Sequence, residues 1–342
     1  MKAVRFHEYG PNNVLAYDDV EVPEPGAGEV LIRMRACGVN HFDVDVRSGI
    51  SRWPLPLPHQ LGVEFAGDVE SVGAGVDRRA PGDRVWVQSE TPCGVCRYCR
   101  RGKQNLCEDA QMFGVQLPGG YAEYVLAPAA SVHALPDELT YAQSAAGNVV
   151  FSTAWHMVTG RGQAQPGETV VVQAAGSGIG HAAIQVACIA GATVIATAGS
   201  DEKLERAKEL GASETVNYRS ESIADRVLEL TDGVGADLYV EHVGGDLFMQ
   251  SLSALRKGGR LVTCGAHAGE TPPIDLVELF RNEWQVMGSR IATPEEMAMV
   301  TEMMAAGRLR ADVHAEIPLA DAGEAHRIIE NREQTGKVLL VP

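Results

Sequence analysis

The pattern of hydrophobic and polar residues divides the chain into two kinds of structure. In the first 150 residues, short runs alternate between apolar and polar positions and are separated by Gly and Pro, as in residues 29–35, 65–72 and 84–88. A period of two predicts strands that face the core on one side and solvent on the other. We therefore expect a β-rich first domain.

From about residue 167 the pattern changes to strands and helices in alternation. Two helices are predicted, at 178–190 and 201–210, and each is followed by a glycine, a common helix terminator. The predicted strands are 170–174, 193–197, 214–218, 238–240 and 260–264. Buried strands alternating with helices are typical of an α/β fold with a doubly wound parallel sheet.

The division into domains follows from these patterns. We predict a β-rich domain at 1–150, a nucleotide-binding domain at 151–288, and a segment 289–342 that returns to the first domain. That last segment is of mixed character and ends in an apolar strand at 337–341.

Charge and composition exclude several classes of function. Lys and Arg number 29 against 45 Asp and Glu, so the formal net charge of −16 would repel a nucleic-acid backbone. The first ten residues include Lys2, Arg5 and Glu8 and lack a signal-peptide core. Residues 169–200 carry no charged side chain but contain five glycines, so we read them as a buried βαβ unit and not as a membrane span. With no sign of secretion, the seven cysteines favour a reducing, cytoplasmic location.

Four cysteines lie close together in the segment 90–110, and they are Cys93, Cys96, Cys99 and Cys107. Two-residue spacers let neighbouring turns present sulfur atoms to one ion, and four thiolates are typical of a structural Zn²⁺ with no open position. An iron–sulfur cluster and free thiols are the alternatives, because spacing does not fix the metal. We expect one structural zinc per chain.

Basic side chains accompany this cysteine segment, namely Arg97, Arg100, Arg101 and Lys103. One interpretation is a solvated loop whose positive charge balances four thiolates. The other is a binding surface for an acidic substrate tail, such as a coenzyme A phosphate.

A small-residue turn, Ala-Gly-Ser-Gly-Ile-Gly at 175–180, connects a predicted strand to a predicted helix. Backbone N–H groups at a helix N-terminus can approach a pyrophosphate closely when side chains are small. In this context the turn predicts dinucleotide binding by Ser177, Gly178 and Ile179, although a tight turn without a ligand is the alternative.

The next predicted strand indicates which dinucleotide is used. NAD enzymes usually carry Asp or Glu at its end, to accept hydrogen bonds from the ribose 2′-hydroxyl. This chain has Thr-Ala-Gly-Ser at 197–200, and Ser200 and Lys203 suit a 2′-phosphate instead. The carboxylate of the neighbouring Asp201 would repel a 2′-phosphate, but we interpret this residue as complementing the helix dipole. We therefore prefer NADP(H) over NAD(H).

The chain resembles the medium-chain dehydrogenase/reductase superfamily, which includes zinc alcohol dehydrogenases and quinone oxidoreductases, over essentially its whole length. The segments that carry the resemblance are 36–43 with Arg47 and Gly49, 61–67, the four-cysteine segment, 151–156, the turn 175–180, and Gly-Lys-Val at 336–338. The resemblance implies a GroES-like first domain, a Rossmann second domain, and a cleft between them where nicotinamide meets substrate. It also implies a homodimer or homotetramer.

The alcohol dehydrogenases of this superfamily bind a second, catalytic zinc, and the resemblance places Asn40, Val63 and Val149 at its ligand positions. Phe42 stands where a hydroxyl would relay the alcohol proton. Cys37 and His59 lie three and four residues too early to be ligands. Valine cannot bind a metal, so we expect no catalytic zinc. The chain instead resembles the zinc-independent quinone and enoyl reductases, which usually lack the cysteine segment.

Without a Lewis acid, a conjugated acceptor is easier to reduce than an alcohol is to oxidise. We expect hydride transfer from NADPH to a quinone, an enone or an enoyl thioester. Asn40 is the predicted hydrogen-bond donor in the cleft, although an Asn that serves its own turn is the alternative. Asp43 could pair with Arg47 and shape the cleft, and Thr153 contacts nicotinamide by resemblance. A zinc alcohol dehydrogenase and a non-catalytic NADPH-binding protein are the competing functions.

Further residues are predicted to surround the cofactor. Tyr218 flanks the adenine or the 2′-phosphate, or is an ordinary residue at a strand end. The nicotinamide ribose is expected to contact backbone groups of Gly244, Cys264, Gly265, Ala266, Gly288 and Ser289.

Overall fold

The computed structural model describes residues 1–51 and 53–342, which fold into two compact units. Unit 1 consists of Met1–Val149 and Thr293–Pro342, and unit 2 of Val150–Ala292. Within the described ranges, no helix is both long enough and apolar enough to cross a membrane.

The amino-terminal part of unit 1 is built mainly from short strands. These are β1 (Lys2–Phe6), β2 (Leu15–Asp19), β3 (Glu29–Val39), β4 (His59–Gln60), β5 (Glu64–Val72), β6 (Arg84–Val87), β7 (Glu90–Thr91), β8 (Gln111–Met112), β9 (Tyr124–Pro128) and β10 (Val132–Ala134). Helix α1 (His41–Ser48) accompanies them. Helix α2 (Tyr141–Trp155) begins in unit 1, ends in unit 2 and continues there as a π-helical turn. The predicted β-rich character of this region is confirmed.

Unit 2 contains six parallel strands and five helices among its described elements. The strands are β11 (Thr169–Val172), β12 (Thr193–Ala198), β13 (Glu214–Asn217), β14 (Ala236–Glu241), β15 (Leu255–Thr263) and β16 (Gln285–Gly288). The helices are α3 (Gly178–Ile189), α4 (Asp201–Glu209), α5 (Ile223–Leu230), α6 (Leu247–Ser253) and α7 (Leu276–Arg281). The strand order β13-β12-β11-β14-β15-β16 reverses direction beside β11, which is the doubly wound arrangement predicted from the sequence.

The carboxyl-terminal segment completes unit 1. It contains α8 (Pro294–Ala305), β17 (Val313–Pro318), α9 (Ala322–Glu330) and β18 (Lys337–Val341). Helix α8 begins with a capping box between Thr293 and Glu296 and has proline in its first turn, so the sequence itself fixes where it starts.

Strand β18 lies inside the main sheet of unit 1, between β3 and β17, in the order β10-β6-β5-β3-β18-β17. Its apolar side chains Val338 and Leu340 join a core that also holds Ile32 and Phe65. The last strand of the chain is therefore an integral part of the first unit, and its burial adds to the hydrophobic stabilisation there.

Candidate active site

The register of three strands brings Asn40, Glu64 and Lys337 together at one end of the unit 1 sheet. Val338 lies opposite Val39, and Gly38 lies opposite Glu64. Lys337 Nζ donates to Glu64 Oε2 at 2.8 Å and to Asn40 Oδ1 at 2.8 Å. Lys337 is 5% exposed and Glu64 1% exposed, so this ion pair is shielded from water.

Asn40 is half-buried between the end of β3 and the start of α1. Its backbone N–H donates to Asp43 Oδ2 at 2.8 Å, which fixes the first turn of the helix. Its side-chain nitrogen Nδ2 lies 3.3 Å from the carbonyl oxygen of Gly38 and 3.4 Å from Glu64 Oε2. Both distances are longer than the common value of about 2.9 Å, so these two bonds are weak.

Asp43 is fully buried and holds two backbone segments together. Besides Asn40, it accepts a hydrogen bond from the backbone N–H of Gly62, at 3.2 Å from Oδ1. Burial raises the pKa of its carboxyl group to about 7. The local ion pair considered for Asp43 and Arg47 does not describe the structure, because the Arg47 guanidinium contacts Glu330 and His326 of α9 instead.

The three positions expected for a catalytic zinc do not provide a metal site. Val63 is a buried aliphatic residue, and the backbone N–H of Val149 donates to Glu64 Oε1 at 2.7 Å. The carboxylate of Glu64 is thus shared between this N–H group and the Lys337 ammonium. An amide, two valines and a buried cation do not fit Zn²⁺.

The two metal-binding side chains considered near these positions are engaged elsewhere. Cys37 is completely buried, and burial raises the pKa of its thiol well above the ordinary value. His59 Nε2 lies 2.8 Å from the carbonyl oxygen of Gly114, and burial lowers the pKa of this imidazole.

The four predicted thiol ligands meet in space. The sulfur atoms of Cys93, Cys96, Cys99 and Cys107 all lie within 4.8 Å of one another. Zn–S bonds of about 2.3 Å place the sulfurs of a tetrahedral site about 3.8 Å apart. The separation of 4.0 Å between the Cys96 and Cys107 sulfurs is close to that value. These residues fit one tetrahedral zinc ion.

In unit 2, the small-residue turn opens helix α3 as predicted from the sequence. Ser177 is the N-cap residue, and its Oγ accepts a hydrogen bond from the backbone N–H of Gly180 at 3.0 Å. A Cβ atom at Gly180 would lie 2.3 Å from the carbonyl oxygen of Ala174, so only glycine allows this close approach. Gly178 and Ile179 form the first turn, where N–H groups point out of the helix.

His242 and Glu241 were not predicted as site residues. His242 Nε2 lies 2.9 Å from Ser177 Oγ, and burial lowers the pKa of this imidazole to about 3, so it is neutral. Glu241 is fully buried, and its Oε1 accepts hydrogen bonds from the backbone N–H groups of Val243 and Gly244, both at 2.6 Å. A carboxylate at a strand end followed by two glycines is the signal that could have indicated this role.

The residues predicted to contact the nicotinamide ribose lie at the carboxyl ends of three neighbouring strands of the parallel sheet. Gly244 follows β14, the residues Cys264, Gly265 and Ala266 follow β15, and Gly288 and Ser289 end and follow β16. The Glu241 carboxylate also accepts a hydrogen bond from Thr263 Oγ1 at 2.8 Å, which ties β14 to β15 at this edge. Carboxyl ends beside a reversal of strand order are the usual ligand position in such sheets.

The residues proposed for 2′-phosphate recognition also lie together in unit 2. A Cβ at Gly176 would lie 2.6 Å from Lys203 Cδ, so the lysine stem passes over the small-residue turn. A Cβ at Gly199 would lie 2.9 Å from the Tyr218 hydroxyl, so this ring covers the end of β12. Ser200 is the N-cap residue of α4, between these two contacts.

Asp201, the acidic neighbour of this region, has a partner of its own. The side-chain amide of Asn217 donates to Asp201 Oδ1 at 3.0 Å. Asp201 also lies in the first turn of α4, where a carboxylate complements the helix dipole.

Thr153 lies in the last turn of α2 and is half-buried. It belongs to unit 2, whereas Asn40 and Asp43 belong to unit 1.

Comparisons with known proteins match both units. The family described as alcohol dehydrogenase GroES-like domain matches residues 26–137, and the family described as zinc-binding dehydrogenase matches residues 178–306. An alcohol dehydrogenase of Moraxella sp. (strain TAE123) is 35% identical, with 99% of each chain covered. A quinone oxidoreductase of Pseudomonas aeruginosa is 34% identical, over 100% of this chain and 99% of the relative.

Further similarity extends to a reductase and to a solved structure. A 2-haloacrylate reductase of Burkholderia sp. is 31% identical, with 100% of this chain and 99% of the relative covered. A crystal structure described as an NAD-dependent alcohol dehydrogenase superposes with a TM-score of 0.96 at 42% identity, covering 100% of both chains. With its GroES-like and Rossmann-type units, this chain belongs to the medium-chain dehydrogenase/reductase superfamily and to its oxidoreductases.

Proposed function

We propose that the protein is an NADPH-dependent reductase of conjugated acceptors that works without a catalytic metal. The observation that carries this proposal is the buried Lys337–Glu64 ion pair beside Asn40, where the alcohol dehydrogenases of the superfamily have metal ligands. An alcohol is hard to oxidise at such a position, because no Lewis acid lowers the energy of the alkoxide.

The reaction adds hydride to the β-carbon of an unsaturated carbonyl compound, or to a quinone. Bound NADPH would supply the hydride. The π pair of the C=C bond would shift to the bond between the α-carbon and the carbonyl carbon, and the carbonyl π pair would move onto the oxygen, which would become an enolate or phenolate oxygen. Asn40 stabilises that oxygen by donating an amide N–H, and water supplies the final proton. Asp43, which is fully buried, positions Asn40 and does not contact the substrate.

Unit 2 binds the cofactor in this proposal. The turn at Ser177–Ile179 receives the pyrophosphate, Thr153 orients the nicotinamide, and backbone groups after β14, β15 and β16 contact its ribose. Ser200, Lys203 and Tyr218 bind the 2′-phosphate of NADPH. The similar solved structure is described as NAD-dependent, so both cofactors belong in the test.

One structural Zn²⁺ per chain completes the protein, bound by Cys93, Cys96, Cys99 and Cys107. It fastens a segment that has few buried apolar side chains of its own, so it stabilises the fold and takes no part in hydride transfer. Clustered thiols of this kind also suit a reducing, cytoplasmic compartment.

Two relatives support the choice of acceptor, because quinones and 2-haloacrylates are conjugated acceptors. Relatives of equal or higher identity, at 35% and 42%, are called alcohol dehydrogenases, so alcohol oxidation is the second candidate. A non-catalytic NADPH-binding protein is the third.

A single assay separates these three functions. Purified protein is given NADPH or NADH with a panel of quinones, enones and enoyl thioesters, and in parallel NADP⁺ or NAD⁺ with primary and secondary alcohols. The proposal expects steady NADPH oxidation with at least one conjugated acceptor and no turnover of alcohols. Turnover of alcohols alone would establish the second candidate, and NADPH binding without any turnover would establish the third.

We further propose that two copies of the chain associate through the β16 edge of unit 2. Strand β16 is the outer strand of the parallel sheet, and Val286 on it is 38% exposed. On the neighbouring α7, Leu276 is 67% exposed and Phe280 66% exposed, an arrangement that burial against a second copy would stabilise.

Light scattering after gel filtration is expected to give a dimer, or a tetramer made of two dimers, and Phe280→Asp is expected to give a monomer. A monomeric wild type would contradict this part of the proposal.

A further inference from the structure

The Lys337–Asn40 contact gives the asparagine side chain a fixed direction. An ammonium group has three donors and no acceptor, so only an oxygen can face it at 2.8 Å. Asn40 Oδ1 must therefore point towards Lys337, and Nδ2 must take the other edge of the amide. The amide cannot flip without placing N–H groups against an ammonium group.

The strands around this contact leave Lys337 little freedom. A Cβ at Gly38 would lie 2.2 Å from the carbonyl oxygen of Ala145, 2.9 Å from Glu64 Oε2 and 3.2 Å from Lys337 Cε. Because Gly38 has no side chain, the lysine stem packs directly against its backbone. Because Glu64 neutralises the ammonium group, the pair can be buried without an uncompensated charge.

The donors of Asn40 are the part of the amide that remains available. Among the described residues, its Nδ2 makes only the two long contacts of 3.3 and 3.4 Å, both to groups of its own unit. A substrate oxygen can replace such a weak hydrogen bond with little loss of free energy. The acceptor end, Oδ1, is already bonded to a charged donor, and bonds of that kind are about twice as strong as neutral ones.

We propose that Lys337 is the positioning residue that fixes Asn40 as a hydrogen-bond donor, and that this polarity selects substrates whose reacting oxygen only accepts hydrogen bonds. Carbonyl oxygens of quinones, enones and enoyl thioesters are of this class. An alcohol group donates a hydrogen bond before it loses its proton, and the Asn40 oxygen that would accept that bond is already bonded to Lys337. This inference rests on the proposed function and names the group that sets its substrate class.

The test is a double-mutant cycle between Lys337 and Asn40. Lys337→Met removes the ammonium group and keeps the length of the side chain, and Asn40→Asp removes the donor. Each single variant is expected to lower kcat for the best conjugated acceptor at least tenfold and to leave the NADPH Kd within twofold. The double variant N40D/K337M is expected to be no slower than N40D, because Lys337 acts only through Asn40.

Two further variants separate positioning from folding. Lys337→Met leaves Glu64 as a buried charge without a partner, which destabilises the fold. If K337M does not fold, the double variant E64Q/K337M, in which both side chains are neutral, is used in its place. Arg260→Met is the matched control, since Arg260 forms a partly buried ion pair with Glu168 at 2.5 Å in unit 2. It is expected to lower the Tm and to leave kcat unchanged.

A spectroscopic measurement tests the contact without using turnover. With asparagine labelled by ¹⁵N, the side-chain NH₂ signals of Asn40, assigned by their loss in N40D, are expected to shift in K337M and to stay in place in R260M. A full kcat in K337M, or losses that multiply in the double variant, would overturn the proposal while the reductase function stands. If the wild type reduces no acceptor, the proposed function fails. If the Asn40 signals do not move in K337M, the positioning role of Lys337 fails, whatever the wild type reduces.

Discussion

At the scale of single residues, the chemistry of a side chain depends on partners that are distant in sequence. The 2.8 Å contact between Asn40 and Lys337 joins positions separated by 297 residues. The sequence identifies Asn40 as a candidate because it stands at a ligand position of related enzymes. It does not identify Lys337 as a partner of Asn40, because most lysines are exposed, whereas this one is buried in the folded sheet, where the next residue, Val338, lies opposite Val39.

The region around Lys203 leads to a prediction about cofactor choice. Lys203→Ala removes the ammonium group beside the small-residue turn, where we place the 2′-phosphate. We expect the Kd for NADPH to rise at least tenfold and the Kd for NADH to change less than twofold, because only NADPH carries that phosphate. Fluorescence titration of both cofactors measures the two constants.

Lys208→Ala is the matched control for this titration. Lys208 lies on the same helix α4, and its ammonium group pairs with Glu205 at 2.8 Å. Its loss changes the net charge equally and is expected to leave both constants within twofold. If Lys203→Ala weakens NADPH and NADH by the same factor, Lys203 does not recognise the 2′-phosphate.

At the scale of elements, periodicity predicted the parallel sheet of unit 2, since strands buried on both faces read as short apolar runs between helices. Helix α1 was not predicted, although its segment had been singled out for chemistry. Two of its buried residues, Asp43 and Arg47, have ionisable side chains, so the apolar stripe that signals a helix is interrupted. Their burial could not be predicted from the sequence, because it depends on hydrogen bonds to residues that are distant along the chain, namely Gly62, His326 and Glu330.

The cysteine segment yields a prediction about stability and metal content. Cys99→Ser removes one of the four thiolates, and three remaining thiolates bind zinc much more weakly. We expect zinc to fall from about one ion per chain to nearly none. The bonds that follow Arg100, Arg101 and Lys103 are then expected to become the first sites of trypsin cleavage.

Cys188→Ser tests whether these effects are specific to the cysteine segment. Cys188 lies on α3 in unit 2, with its thiol 3.3 Å from the carbonyl oxygen of Gly211. It is expected to keep full zinc and full resistance to trypsin. Unchanged zinc in Cys99→Ser would show that the metal lies elsewhere.

The packing of α9 leads to a prediction about pH. Burial and the Arg47 cation lower the pKa of His326 to about 3, so this imidazole is neutral in the folded protein. In the unfolded chain its pKa is about 6.5, so stability is fully present above that value and is lost as pH falls towards 3. Between pH 7 and pH 5 the loss is about 2 kcal/mol.

His326→Gln keeps groups that can bond Tyr121 and Arg47 but does not titrate. Thermal unfolding is expected to show a Tm drop from pH 7 to pH 5 that is at least about 2 °C smaller than in the wild type. His7→Gln is the control, because the His7 side chain is 54% exposed and its contact with Asp18 at 2.9 Å lies at the surface, where ion pairs contribute little to stability. Its Tm drop is expected to equal that of the wild type. An equal drop in all three proteins would mean that His326 does not contribute to acid sensitivity.

At the scale of the whole molecule, the sequence was sufficient for the superfamily and for the folds of the two units. It was not sufficient for the substrate, because relatives of similar identity are called alcohol dehydrogenase and quinone oxidoreductase. In our proposal, a small set of side chains around the end of β3 separates these activities. Two of them, Glu64 and Lys337, pair only after three strands have taken their register.

The most direct test of the central claim is the number of zinc ions per chain, measured by plasma emission in thoroughly desalted protein. The account predicts a value near one, with the ion bound by the four cysteines and none beside Asn40. A value near two in the wild type, falling to one in Cys99→Ser, would contradict it. The site at Asn40 would then bind metal, and the protein would have to be examined as an alcohol dehydrogenase.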